Sequence, residues 1–253
     1  AGAYNALYPI HAFAEFAANG QAYAAHAVKI VETQLPEVPE PNVEVPWRPI
    51  VLAADTEVSL DQSLMRRVVI EAFGEEPVIK PVAWHGSDER TRGAVDVGGS
   101  ASRPDARRTI AMHPPWYGGH AGAEYVEFPV RLPEDVPIRL AFANAIRDND
   151  VTRNEPASDG VTFRVRVADF DAPAGAWGDV VFEQHTDAKQ WQDANVDLGA
   201  YTGQTIRLQL EVHPGPTNDT TCDQGYWGAP RLIAGDSTRR AIAPAEPKPL
   251  GVV

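Results

Sequence analysis

The clearest periodic signal in the chain is the run TIRLQLEV, Thr205 to Val212. Ile206, Leu208, Leu210 and Val212 fall on one face, and Arg207, Gln209 and Glu211 on the other. Alternation at period two predicts a half-buried β-strand with its charged face toward solvent. His213-Pro214 and Gly215-Pro216 end the run, and the polar stretch Asn218 to Asp223 predicts a loop tip. The chain then returns through Tyr226, Trp227 and Leu232 as an antiparallel partner.

The same alternation recurs from Arg108 onward. Strands are predicted over Arg108 to Met112, Glu124 to Leu132, Ile138 to Ile146, Gly160 to Ala168, Val180 to Gln184 and Ala194 to Leu198. If consecutive strands run antiparallel, every second connection surfaces at one pole. These are His113 to Ala123, Arg147 to Asp159, His185 to Trp191 and His213 to Gly225. The opposite pole receives turns built from Pro, Gly and Asp. Many short strands with few helices predict a mainly β protein, a jelly-roll β-sandwich over residues 50–235.

Upstream, Ile50 to Ala54, Leu64 to Ala72 and Val78 to Trp84 read as further strands. The Gly-, Ser-, Asp- and Arg-rich stretch Trp84 to Arg107 reads as a long excursion loop. Residues 36–49 alternate proline with acids and valines, which predicts an extended linker, with Trp47 as its anchor. Tyr8 to Leu35 is alanine-dense with apolar residues at helical spacing, broken at Asn19-Gly20, so residues 1–35 are expected to be a short helical segment, an arm or the tail of an upstream domain. Residues 236–253 form an expected extended, Pro-rich tail.

Composition narrows the partners. The 253-residue chain is 43% hydrophobic, enough for a sizeable core, and carries a formal net charge of −13. So acidic a surface argues against nucleic acid and anionic membrane, both of which need a basic face. Cys222 is the only cysteine, which leaves no intrachain disulfide and no CxxC metal knuckle. No apolar run approaches the roughly 18 residues that would cross a bilayer, so membrane insertion is not expected.

The pole gathers the chemistry. His113, Trp116, Tyr117, Arg147, Asp148, Asp159, His185, Asp187, Asp223 and Tyr226 are the candidate ligand-binding residues. Aromatic faces stack on the apolar C–H face of a pyranose, while Arg, His and carboxylates grip its hydroxyls, so the set suits a glycan. Trp116, between Pro115 and Tyr117 and ahead of two glycines, is the better exposed platform; Trp191 and Trp227 read as core plugs. Polar side chains at strand ends also suit hydrogen bonding to loop backbone, and both readings stay open. His113, His185 and His213 with Asp187 and Asp223 form a candidate transition-metal set. Asp148, Asn149 and Asp150, or Asn218 and Asp219, suit calcium. Asp159 and Asp223 are a candidate carboxylate pair for hydrolysis. No GxSxG elbow, HExxH, Walker loop or dinucleotide fingerprint is present.

The segments IAMHPPW (Ile110 to Trp116), SDGVTFRVRV (Ser158 to Val167), GQTIRLQLEV (Gly203 to Val212) and DQGYWGAPRL (Asp223 to Leu232) together resemble the NPCBM-type carbohydrate-binding modules of the galactose-binding-like β-sandwich superfamily. Gln224-Gly225-Tyr226 stands where that family usually has His-Ala-Asp before the tryptophan, and the loop Arg147 to Asp159 is long. The resemblance implies a non-catalytic glycan-binding module of a secreted or surface protein, often with a calcium site on the sandwich. Two other expectations stand beside it. One is a cell-surface structural or assembly protein that self-associates through the helical segment and tail; the other is a metal- or carboxylate-dependent hydrolase at the same loops.

Overall fold

The computed structural model describes residues 46–235. The expected helical segment, most of the Pro-rich linker and the tail lie outside the described residues. The described part is mainly β. Its strands are β1 (Ile50–Val51), β2 (Glu57–Ser59), β3 (Arg67–Ala72), β4 (Val78–Ile79), β5 (Gly86–Ser87), β6 (Ala94–Ser102) and β7 (Ala106–His113), then β8 (Gly122–Arg131), β9 (Ile138–Ile146), β10 (Val161–Asp169), β11 (Asp179–Thr186), β12 (Gln192–Asp197), β13 (Thr205–His213) and β14 (Gly225–Ala234).

They form two 7-stranded sheets. Sheet A has the order β11-β10-β13-β8-β3-β4 with β1 added on β8; sheet B has the order β12-β9-β14-β7-β6-β5 with β2 added on β14. Every pairing is antiparallel except β1 on β8. The inward positions of both sheets make one core, as strand alternation requires. Trp227 bridges the layers: its ring meets Phe142 of sheet B at 4.9 Å and Phe163 of sheet A at 5.2 Å, both edge-on. At the chain entry the Arg67 guanidinium lies 4.0 Å over the Trp47 ring.

Register fixes where the loops emerge. Val212 lies opposite Glu124, Thr162 opposite His213, Val161 opposite Thr186, and Gly225 opposite both Met112 and Ile146. The connections β7–β8, β9–β10, β11–β12 and β13–β14 therefore share one pole, as antiparallel counting predicts. The stretch expected to be an excursion loop differs. It supplies β5 and β6, and β6 pairs along β7 from Ala94↔His113 to Ser102↔Ala106. Its sequence AVDVGGSAS lacks the bulky outward residues that signal a strand, because the strand is held by its ladder rather than by side-chain burial.

The outer face of sheet A also departs from expectation. Arg207, Gln209 and Glu211, read as solvent-facing, are 0%, 0% and 1% exposed. The β10–β11 connection folds back as a strap over Arg207 and Gln209, while Arg164 and Arg166 cover Glu211. Arg207 donates from Nε to the Asp169 carbonyl at 3.1 Å and from Nη1 and Nη2 to the Pro173 carbonyl at 3.2 and 3.1 Å. Gln209 donates to the Ala176 carbonyl at 2.9 Å and accepts the Gly178 N–H at 2.9 Å. Trp177 closes the strap against Tyr125, 4.6 Å between ring centroids, and its indole N–H donates to Glu71. Gly178 is obligatory there, since a Cβ would sit 2.4 Å from the Val167 carbonyl.

Charges under the strap are paired across strands. Arg207 Nη1 lies 3.5 Å from Glu127 Oε2, both side chains fully buried, and Arg67 reaches Glu127 Oε1 at 2.6 Å. Glu211 takes Arg164 at 2.8 Å and Arg166 at 2.5 Å. Removing one member of a buried pair leaves the other uncompensated. Arg207→Ala is therefore expected to cost about 3–5 kcal/mol in urea unfolding; a loss under about 1 kcal/mol, the size of a surface ion pair, would contradict the strap's dependence on it.

Candidate functional site

The chain leaving β7 passes two buried prolines and then exposes Trp116 and Tyr117, at 50% and 51% of their surface. Their backbone is fixed. Both N–H groups donate to the Thr91 carbonyl, at 2.9 and 3.0 Å. Thr91 is held in turn by Asp88, whose Oδ2 accepts its N–H and its hydroxyl at 2.8 Å each, while Oδ1 accepts Lys80 Nζ at 2.6 Å. Burial works against the Asp88 charge, but Lys80 and the two Thr91 donations prevail and hold its pKa at about 2. The two rings meet edge-on at 5.8 Å, with the Arg92 guanidinium 5.6 Å over Tyr117.

Beneath this corner lies a residue that the binding set omitted. Glu124 is fully buried; Oε1 accepts the His113 N–H at 3.0 Å, and Oε2 has no partner among the described residues. Burial pushes its carboxyl well above the ordinary range, which favours the protonated form. A signal was available: in EYVEFPVRL, Glu124 shares the apolar face of Val126, Phe128 and Val130.

His113 is the last residue of β7, and its side chain joins the aromatic corner to a cleft on the outer face of sheet B. Its ring lies 6.3 Å from Trp116. The cleft, about 320 Å³, has Ala94 and Ala111 among its lining, with His85, Asp96, His113 and Gln224 contributing polar groups. His113 Nδ1 lies 2.8 Å from the Pro114 carbonyl. A carbonyl only accepts, so Nδ1 carries the proton and Nε2 is left as an acceptor. Burial lowers the His113 pKa, and Arg147 adds to the effect, which keeps the ring neutral.

Arg147, Asp148 and Tyr226 belong to a second group. Arg147 pairs with Glu155 at 2.7 Å, and Asp148 lies 3.2 Å from Arg103. Arg103 sits 5.3 Å over Tyr226, Trp191 meets Tyr226 at 6.5 Å, and Arg107 sits 5.4 Å over Trp191. The tip of the β6–β7 hairpin is tied here. The Trp191 backbone N–H donates to Arg103 O and its indole N–H to Asp105 O, both at 2.9 Å. Tyr226 and Trp191 are thus capped by guanidinium groups rather than open as platforms. Trp191, expected in the core, instead packs against Gly228, where a Cβ would come within 2.8 Å of its ring; Trp227 is the core plug.

Asp159, His185 and Asp223 make a third group. The Asp223 side chain is buried, its Oδ1 accepts the Ser158 hydroxyl at 2.6 Å, and its Oδ2 has no partner among the described residues. Asp159 Oδ2 accepts the Thr217 hydroxyl at 2.5 Å. His185 is bonded to the Thr162 hydroxyl at 3.0 Å and lies against Gly160, whose φ of 115° and 2.7 Å approach leave no place for a side chain. Asp187 is exposed and makes no side-chain hydrogen bond among the described residues.

The ten predicted residues therefore share a pole, but nine divide among three groups and Asp187 joins none of them. Among the described residues no three His, Cys, Asp or Glu side chains converge to hold a metal ion. The transition-metal set does not assemble. His113 is committed to Pro114, and His213 accepts the Gly215 N–H at 3.0 Å and is held at a pKa of about 4 by burial and by Arg164 and Arg166. The carboxylates proposed for calcium are engaged locally: Asp150 by Thr152, Asp148 by Arg103 and Asp219 by Thr221. No helix among the described residues is long and apolar enough to cross a membrane.

No family model matches the chain. An uncharacterized protein of Archaeoglobus fulgidus is 31% identical over 109 residues, which cover 41% of this chain and 25% of that protein; the chain spans about a quarter of the length of the curated relative it matches. Among solved structures, the K1 cleaved adhesin domain of Lys-gingipain from Porphyromonas gingivalis is 13% identical over 71% of this chain and 97% of that one, with a TM-score of 0.42. An apo cyclase from Fischerella is 15% identical over 75% and 92%, with a TM-score of 0.41. A CBM61 module in complex with β-1,4-galactotriose is 16% identical over 59% and 91%, with a TM-score of 0.34. At these scores the likeness assigns neither ligand nor activity to the present chain.

Burial raises the Asp223 pKa to about 7, with Asp159 and Asp219 adding to it and the Ser158 bond opposing. In the unfolded chain an aspartate releases its proton near 3.9. The folded state thus holds the extra proton between about pH 4 and about pH 7, and stability falls as pH rises through that window. Asp223→Asn is expected to flatten this part of the profile in urea unfolding. Parallel pH profiles for the two proteins would refute the assignment.

Proposed function

We propose that the domain is a non-catalytic carbohydrate-binding module that holds a saccharide at the Trp116–Tyr117 corner and the adjoining cleft lined by His113. The observation that carries this reading is the rigid exposure of the two aromatic side chains. About half of each residue's surface faces solvent while the backbone beneath is locked to Thr91. An aromatic held in place loses little entropy on stacking against a sugar ring. The cleft supplies what hydroxyls need: an imidazole acceptor at His113, a carboxylate at Asp96 and an amide at Gln224 that both donates and accepts. Its floor of alanines leaves room for a ring to approach.

The strand order supports a jelly-roll winding. Consecutive strands from β7 to β14 alternate between the sheets, with only β10 and β11 neighbours in one sheet. A secreted or surface setting belongs to the same proposal.

Binding to a panel of soluble polysaccharides, followed by affinity electrophoresis, tests the site. Trp116→Ala is expected to weaken retention about tenfold with the thermal midpoint unchanged, since the side chain makes no core contact. Equal retention by the variant and the parent removes Trp116 from the site.

A further inference from the structure

A second cleft lies on sheet B, away from the aromatic corner, where β14 breaks register. It encloses about 520 Å³ and is lined by Arg107, Arg108 and Arg231 with Asp61 and Asp193. Through Arg107, Asp193, Ala229 and Arg231 it continues into a hollow of about 240 Å³. Together these match the size of a site for a small organic ligand. Its lining carries three guanidinium groups and two carboxylates, with Asp105 and Glu57 pairing to Arg107 and Arg231 from outside the lining.

The carboxylates do not exhaust the arginines. Asp61 is buried and accepts only Arg108 Nε, at 2.7 Å. Arg107 spends Nε on Asp105 at 2.8 Å and Nη1 on Asp193 at 2.5 Å. Arg231 has one long contact, 3.5 Å to Glu57, and its side chain is 44% exposed. Among the described residues, the terminal nitrogens of Arg108 carry no hydrogen bond, and the Arg231 side chain makes none.

The backbone is built irregularly at this place. The β14–β9 register shifts between Gly228 and Arg231, and Ala229, which lines the cleft, sits at φ 45°. A left-handed alanine costs energy that regular pairing would not. Across the cleft, β6 and β7 shift register between Val97 and Gly99, beside the Arg108 end of β7. Bulges re-aim the side chains that follow them. The extra residue in β14 directly precedes Arg231, which lines the cleft opposite Arg107 and Arg108 of β7.

We propose that this cleft binds the carboxylate of a uronic-acid residue in an acidic glycan. The planar guanidinium fork matches a carboxylate in a bidentate contact, which a neutral hydroxyl cannot reproduce. The saccharide body of the ligand rests on the proposed function; the anion contact rests on the arginines alone.

Calorimetric titration of the full chain with an oligogalacturonide, its methyl ester and a neutral galacto-oligosaccharide of equal length tests the assignment. The free acid is expected to bind more tightly than the ester, and added salt to weaken only the acid. Arg231→Gln is the primary variant, because its exposed side chain leaves no buried partner behind. It is expected to weaken the acid about tenfold and to leave the neutral ligand unchanged. Arg108→Gln is read only alongside a thermal midpoint, since it strands Asp61. Equal affinity of acid and ester, equal affinity of Arg231→Gln and parent for the acid, or no binding of the acid at all overturns the proposal. Loss of neutral-ligand binding with acid binding intact sinks the aromatic-corner reading instead.

Discussion

A fully buried ion pair on the outer face of sheet A, Arg207 with Glu127, decides how the two faces of this sandwich differ. Two charges taken out of water repay their desolvation only if every remaining donor and lone pair is satisfied. The strap between β10 and β11 does that by offering the Asp169 and Pro173 carbonyls to Arg207. Gln209 then zips the strap down through Ala176 and Gly178, and Trp177 caps it. The face is sealed as a consequence. Sheet A is covered there, and the faces left open are the loop pole and the outer side of sheet B.

Sheet B carries both clefts because its cover is incomplete. The β6–β7 hairpin tip reaches over Trp191 and Tyr226 and is held by two hydrogen bonds from Trp191. On either side of this bridge the sheet lies open. One opening is floored by alanines beside His113, and the other is walled by arginines at the β14 bulge. The first suits a neutral ring stacked on aromatics. The second suits the charged substituent of an acidic sugar.

Two buried carboxyls hold the pole together without facing solvent. Glu124 fixes the start of the loop that presents Trp116 by accepting the His113 N–H, and Asp223 ties the β13–β14 connection to Ser158 of the β9–β10 connection. In each, burial raises the pKa, in the direction opposite to Asp88, where Lys80 and Thr91 outweigh burial and preserve the charge. The platform therefore stands on two carboxyls shifted in opposite directions, and only Asp88, the one shifted down, is matched by a cation.

Much of the architecture was legible in the sequence. Period-two runs such as TIRLQLEV and EYVEFPVRL depend on local chemistry alone, so the strands from β7 to β14, their antiparallel order and the common pole follow from residue spacing. The exposure of Trp116 was legible too, from the prolines and glycines around it. What the sequence could not decide was which polar residues meet. Arg207, Gln209 and Glu211 alternate as a solvent face would, and only the return of a strap over the first two, with Arg164 and Arg166 of β10 over Glu211, buries them. The ten candidate residues reach one pole by counting, yet Arg147 pairs with Glu155 and Asp223 with Ser158 because of register and loop path. A period of two fixes the side of the sheet on which a side chain stands; its partner is set by long-range packing, which no local pattern encodes.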